Sequence, residues 1–229
     1  MSRKIPEDEE VSEHYSFGPG YAKLYAFCNK AKEYGCPFAW SDTCCIDKTS
    51  SAELNEAIRS MFRWYRDATI CIAYLGSSSS PADVANDPWF TRGWTLQELL
   101  APYRTKFFDK TWEPLVNGDN DKDLTDPTGI LAKVSSATRI STYTICHFLP
   151  GTNRVAERMG WASTRRTTRV EDAAYCLISI FDISLDVQYG EGITAFSRFT
   201  EALLKRYSGW DIHAWKDVQL GIRDSGLFS

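Results

Sequence analysis

Residues 50–75 read SSAELNEAIRSMFRWYRDATICIAYL, and this one stretch carries both periods of an α/β fold. Ser50 and Glu53 form a capping box, after which Leu54, Ala57, Ile58, Met61, Tyr65 and Ala68 trace one stripe at steps of three and four, the pattern of an amphipathic helix. TICIAYL follows almost without a loop, a continuous β-branched and aromatic run suited to a strand covered on both faces. Upstream, Leu24, Tyr25, Cys28 and Ala31 recur at helical spacing from Tyr21, and Gly35 stands where a C-terminal cap belongs. PFAWSD, residues 37–42, reads as a short buried strand with Asp42 at its exit, and TCCIDKTS as a polar loop. Downstream, SSSSPADVANDP is a surface loop, WFTRGWTLQELLAP gives a short helix from about Gly93 that Pro102 closes, and TKFFD is another buried strand. Alternating helices and buried strands predict a parallel sheet flanked by helices, whose ligands bind at the carboxyl ends of the strands. Asp42 stands at one such end.

Beyond residue 116 the character changes. GDNDKDLTDP, residues 118–127, reads as a solvated linker, with Asp126-Pro127 as a helix start. Thr168 and Glu171 make a second capping box ahead of Val170, Ala174, Leu177, Ile178 and Phe181. Ile193, Phe196, Thr200, Leu203, Leu204 and Tyr207 mark another amphipathic helix. The expected organisation is a charged N-terminal segment (1–19), an α/β region (20–115), a mainly helical C-terminal half (116–215) and a tail (216–229). No internal repeat is evident.

The 229 residues are 43% hydrophobic and 24% charged, a balance that excludes disorder for most of the chain. Lysine and arginine number 26 against 30 acids, so no basic field exists to attract nucleic acid or an anionic membrane. The N-terminus MSRKIPEDEEVSEHYS lacks an apolar signal region and no run of about 18 apolar residues occurs, which predicts a cytoplasmic protein. Seven scattered cysteines read as reduced core thiols, and adjacent Cys44 and Cys45 lack the spacing of a metal site, so no metal is expected.

Four strings, WSDTCCIDKTSSAELNEAIRSMFRWYRDA, WFTRGWTLQELLAP, WASTRRTTRVEDAAY and YGEG, resemble in order and separation the HET (heterokaryon incompatibility) domain proteins of filamentous fungi. The resemblance runs from Tyr21 to about Trp215. It implies a role in fungal self/non-self recognition, in which the domain triggers death of fused, genetically unlike cells. HET domains also resemble TIR domains, which implies a TIR- or flavodoxin-like parallel sheet and, for some members, NAD cleavage. HET domains usually open with a strand motif like LSYxWG, and Met1 to Gly20 contains nothing of the kind, so the first strand is expected to be missing.

The same resemblance points to a site. Leu96, Leu99 and Leu100 form the core stripe of the short helix, which puts Trp94, Gln97 and Glu98 on another, exposed face. That arrangement resembles the W-x-x-x-E stretch of NAD-cleaving TIR domains and implies Glu98 as the catalytic residue, with NAD as substrate and no cofactor. Nicotinamide leaves NAD as a neutral molecule, so one carboxylate suffices where ordinary glycoside hydrolysis needs two. Glu98 would stabilise the positive charge developing on the ribose, Trp94 could stack on a ring, and Arg92, or Arg63 and Arg66, could hold pyrophosphate. Asp42 and Asp47 could bind ribose.

Each residue also has a plainer reading. Glu98 is equally a solvated helix position, Trp94 a core or interface filler, and Asp42 and Asp47 turn formers. Arg165, Arg166 and Arg169 with Glu171 and Asp172 read as a helix-start ion network, and Tyr189-Gly190-Glu191-Gly192 as a tight turn. Two alternatives to an NAD glycohydrolase stand beside it. One is a non-catalytic module that self-associates, or binds other incompatibility proteins, through exposed Trp89, Phe90 and Trp94; the other is a truncated inactive or regulatory paralogue.

Overall fold

Local periodicity decides the two longest helices, and long-range pairing decides where the strands end. A computed structural model describes residues 3–4, 18–125 and 128–206. The chain divides into two units, Met1–Leu54 and Asn55–Ser229.

In the first unit, β1 (Arg3–Lys4) pairs antiparallel with β2 (Phe38–Ala39), Arg3 opposite Ala39. Between them α1 (Pro19–Glu33) begins on a proline, where the missing N–H costs nothing, and Gly35 follows its end at φ +71°, a left-handed turn that favours glycine. The segment 37–42 departs from its expected form. Phe38 is 57% exposed and the strand is two residues long, because its partner is a short antiparallel edge rather than a sheet interior. Asp42 opens α2 (Asp42–Cys45), a single helical turn. Asp47 is the turn former: its Oδ1 accepts from Thr49 N at 2.9 Å and Thr49 Oγ1 at 2.6 Å, and these bonds, the hydroxyl first, hold its carboxyl below the usual range.

Helix α3 (Ser51–Asp67) carries the predicted stripe. Glu53 N donates to Ser50 Oγ at 3.3 Å, while the Glu53 carboxylate reaches back to the Asp47 amide at 3.0 Å, so the expected cap forms with its return bond shifted upstream. In the second unit α3 buries Ala57, Ile58, Met61 and Phe62. It feeds β3 (Cys71–Tyr74), which lies parallel to β4 (Thr105–Phe108), Cys71 opposite Thr105 and Tyr74 opposite Phe108. The crossover between them holds two 3₁₀ turns, Val84–Asn86 and Pro88–Thr91, and the short helix α4 (Thr95–Leu100). The protein is thus mixed α/β, and its parallel sheet has two strands among the described residues. All four β4 residues are buried, as in a strand covered on both faces.

The expected solvated linker, residues 118–127, holds only in part: Gly118, Asp119 and Asp123–Thr125 are exposed, whereas Asp121 and Lys122 are buried. The chain from Leu115 to Asp121 returns to β4, with Leu115 N donating to the Phe107 carbonyl at 3.1 Å and Asp121 N to the Thr105 carbonyl at 2.8 Å. Asp121 and Lys106 are both 1% exposed and meet at 2.7 Å, while the other Asp121 oxygen takes the Phe107 amide at 2.7 Å. Lys122 sends its Nζ to the Pro102 carbonyl at 2.6 Å, and burial pulls its ammonium down to about 8. A loop therefore supplies the hydrogen bonds that an edge strand would otherwise leave open.

The remainder is helical: α5 (Ile130–Thr138), α6 (Thr142–Cys146), α7 (Val155–Ala162), α8 (Asp172–Tyr175) and α9 (Thr194–Arg206). The expected helix start at Asp126-Pro127, Tyr207 in the last stripe and the tail 216–229 lie outside the described residues. The second capping box is replaced: Glu171 Oε1 accepts from Gly190 N at 2.8 Å and Gly192 N at 3.1 Å instead of closing on Thr168, and α8 is a single turn. Leu75, Leu96, Phe107, Ile130, Tyr175 and Phe199 form the centre of the core. No helix among the described residues is long and apolar enough to cross a membrane.

The Lys106–Asp121 pair sets a stability test. Asp121→Ala strands a buried ammonium and is expected to cost about 3–5 kcal/mol in urea unfolding, whereas Asp119→Ala, at a side chain 86% exposed, stays within about 0.5 kcal/mol.

Candidate functional site

The segment from Asp87 to Leu100 is held at both ends. Asp87 is buried and caps the Pro88–Thr91 turn, accepting from Trp89 N at 2.9 Å with one oxygen and from Ser77 N and Ser78 Oγ, each at 3.0 Å, with the other. Trp89 and Phe90 therefore turn inward. They are 7% and 4% exposed and pack against Phe107 with ring centroids at 5.8 and 6.0 Å, so neither belongs to an exposed adhesive surface as the self-association reading expected. The polar caps of the turn leave those rings no path except into the core.

After the turn, Thr91–Gly93 runs beside Arg166 as an isolated parallel bridge. Arg166 N donates to the Thr91 carbonyl at 2.6 Å and Gly93 N to the Arg166 carbonyl at 2.8 Å. Gly93 permits this approach, since a Cβ there would sit 2.4 Å from Thr167 Cγ2 and 3.3 Å from Cys176 Sγ. Arg165 crosses underneath, 3% exposed, and its Nη1 donates to the Arg92 carbonyl at 2.8 Å and to Thr95 Oγ1 at 2.9 Å. Burial drags this guanidinium down to about 10, which leaves it charged at neutral pH.

On α4 the leucines face the core as predicted. Gln97 departs from prediction: it is fully buried, with Nε2 donating to the Cys176 carbonyl at 2.8 Å, so it shares no exposed ridge with Trp94 and Glu98. The Cys176 carbonyl that satisfies it lies just past α8, a contact that spacing on one helix cannot reveal. Trp94 and Glu98, one turn apart, are both half-buried. Trp94 hydrogen-bonds Asp172, which also accepts from Tyr189 OH at 2.7 Å, and the Arg169 guanidinium lies 4.4 Å from the Tyr189 ring centroid. Burial pushes the Asp172 carboxyl above its usual range against the pull of these two donors. Burial and the Asp172 carboxylate together push the Tyr189 phenol up.

The YGEG turn completes the surroundings. Glu191 takes a two-point contact from Arg198, at 2.7 and 2.8 Å, and the Tyr175 hydroxyl at 2.6 Å. Burial opposes ionisation of Glu191, but the Arg198 and Tyr175 bonds outweigh it and its carboxyl is held low. Burial and Glu191 push Tyr175 up to about 12.

The other sequence candidates fall elsewhere. The Arg92 side chain is exposed beside the bridge, and Arg63 is exposed on α3. Arg66 is engaged: it donates to the Phe148 carbonyl at 2.9 Å and lies over the Phe62 and Tyr103 rings at 5.0 and 5.7 Å. Asp42, in the first unit, is exposed, accepts from Thr43 Oγ1 at 3.3 Å and faces Lys48 at 4.0 Å. Spacing alone did not bring Tyr189 and Asp172 to Trp94. The sequence signal that touched all three segments was the resemblance, which rests on WFTRGWTLQELLAP, WASTRRTTRVEDAAY and YGEG together.

Two outcomes are expected. Gly93→Ala destabilises the fold by about 1–3 kcal/mol through the clash with Thr167, and adding Thr167→Ser, which removes the clashing methyl, recovers most of the loss in thermal unfolding. The Trp94 indole N–H resonance titrates with a midpoint above the ordinary carboxylate range and stops titrating in Asp172→Asn. Because a raised carboxyl binds its proton more tightly when folded, Asp172 lowers stability as pH rises from the unfolded to the folded value.

The family described as "Heterokaryon incompatibility protein (HET)" matches residues 19–86. The chain is 42% identical over 207 residues to the vegetative incompatibility protein HET-E-1 of Podospora anserina, an alignment covering 82% of this chain and 14% of that protein. No solved structure matches. With the family match over residues 19–86 and 42% identity over 82% of its length to that incompatibility protein, the chain belongs to the HET heterokaryon incompatibility family.

Proposed function

We propose that this chain acts in heterokaryon incompatibility, as an effector that kills fused, genetically unlike cells, and that it does so by cleaving NAD at the ridge formed by Trp94 and Glu98. The 42% identity to a protein named for vegetative incompatibility carries the first part. In this reading the protein works in the cytoplasm on the NAD pool, as copies of itself or with other incompatibility proteins.

The chemical part rests on α4. The β3–α4–β4 crossover is a parallel βαβ unit, consistent with a TIR- or flavodoxin-like sheet, and Trp94 and Glu98 stand on the helix that leads into β4. NAD hydrolysis breaks the bond between ribose C1′ and the nicotinamide nitrogen, the pyridine leaves neutral, and water adds at C1′ with loss of one proton. Glu98 stabilises the cation that develops on the sugar, and a half-buried carboxylate does this better than one in open water. Trp94, with its indole N–H engaged by Asp172, offers a fixed ring face for stacking. Arg92 supplies a cation for the pyrophosphate.

Purified wild-type protein is expected to convert NAD to ADP-ribose and nicotinamide. Glu98→Gln should do so roughly 10²–10³-fold more slowly while keeping the wild-type thermal midpoint. Equal rates in the two proteins, or intact NAD in both beside undiminished toxicity of the variant, would replace catalysis with signalling by association.

A further inference from the structure

Two of the seven thiols touch. Cys44 and Cys45 are consecutive residues on the single turn α2, and their Sγ atoms stand 3.7 Å apart with no disulfide between them. Cys45 is buried and Cys44 half-buried, so a reagent in solvent meets the pair from the Cys44 side. A third thiol, Cys28 of α1, stands within electrostatic reach: burial pushes it up, Lys32 pulls it down, and Cys45 adds to the rise.

Geometry narrows what the pair can do. Consecutive Cα atoms lie about 3.8 Å apart across a trans peptide, short of the roughly 4.4–6.8 Å that a disulfide spans, so oxidation would have to unwind α2. An atom set between the sulfurs asks for no such change. Two thiolate bonds of about 2.3 Å, opened to a tetrahedral angle, hold their sulfurs about 3.8 Å apart. No group of three or more metal-ligating side chains gathers among the described residues, so an ion that needs three or four protein ligands, zinc included, finds no complete set. The occupant that fits has a soft central atom of that size and two positions to give to sulfur.

We propose that Cys44 and Cys45 form a dithiol site for a trivalent arsenical carrying one organic group, a thiol-seeking compound with two exchangeable hydroxides on its central atom. Each thiol displaces one hydroxide: two S–H and two As–O bonds break, two As–S and two O–H bonds form, two waters leave and arsenic stays trivalent. The site belongs to the first unit, whereas Trp94 and Glu98 belong to the second, and its test reads no NAD cleavage.

The test treats the purified, phosphine-reduced chain with phenylarsine oxide and reads its intact mass. Wild type is expected to take up one phenylarsenic group that survives excess glutathione and leaves with dimercaptopropanol. Cys44→Ser, at the half-buried position, should retain the group roughly 10²-fold less well against glutathione, because the second bond no longer forms within one molecule. Cys28→Ser should retain it as wild type does. A readout that needs no variant is alkylation of the folded wild type: bound arsenical should protect Cys44 and Cys45 from iodoacetamide and leave Cys36 and Cys146 open to it. No adduct on wild type, undiminished retention by Cys44→Ser, loss of the adduct with Cys28→Ser, or protection falling on other cysteines would each overturn the proposal.

Discussion

The second unit depends on a backbone contact between two distant stretches, Thr91–Gly93 and Arg166. A two-stranded parallel pair is too small to organise a unit of this size, so other long-range bonds must do it. The bridge aligns the chain entering α4 with the chain entering α8, and Arg165 locks the alignment from below through Arg92 and Thr95. Glycine at 93 is what lets the two backbones come close enough. Trp94 and Glu98 take their positions from that bridge rather than from α4 itself, which at six residues has little rigidity of its own.

Around the bridge, acids act as organisers of backbone more than as surface charges. Asp87 ties the serine loop to the Pro88–Thr91 turn, Glu171 gathers the amides of the YGEG turn, and Asp121 closes the outer side of β4. Asp172 differs, because its donors are the Trp94 indole and the Tyr189 phenol and it is held largely out of water. It joins the two motifs through side chains where Arg166 joins them through backbone.

What the sequence makes legible is what short-range periodicity encodes. Helices α1 and α3 and strands β3 and β4 follow from apolar spacing and a cap, all within a few residues of one another. The failures share a cause, which is dependence on a remote partner. Asp121 and Lys122 look solvated because a charged run normally is; they are buried because Lys106, Phe107 and Pro102 receive them. Gln97 looks exposed by helix phase and is buried because the Cys176 carbonyl satisfies it. Trp89 and Phe90 look adhesive until the Asp87 cap turns them onto Phe107. In the candidate site, the choice of Trp94 and Glu98 comes from the resemblance, spacing gives only their separation by one turn, and their surroundings belong to residues 165–192 and needed three dimensions.

The buried pair along β4 also imposes an order on synthesis. Lys106 leaves the ribosome 15 residues before the acid that neutralises it, so a nascent chain ending between them holds a bare ammonium at the place where the strand must be driest. Closing the strand therefore waits for the strap, and a premature stop within that interval yields a product that cannot complete its centre.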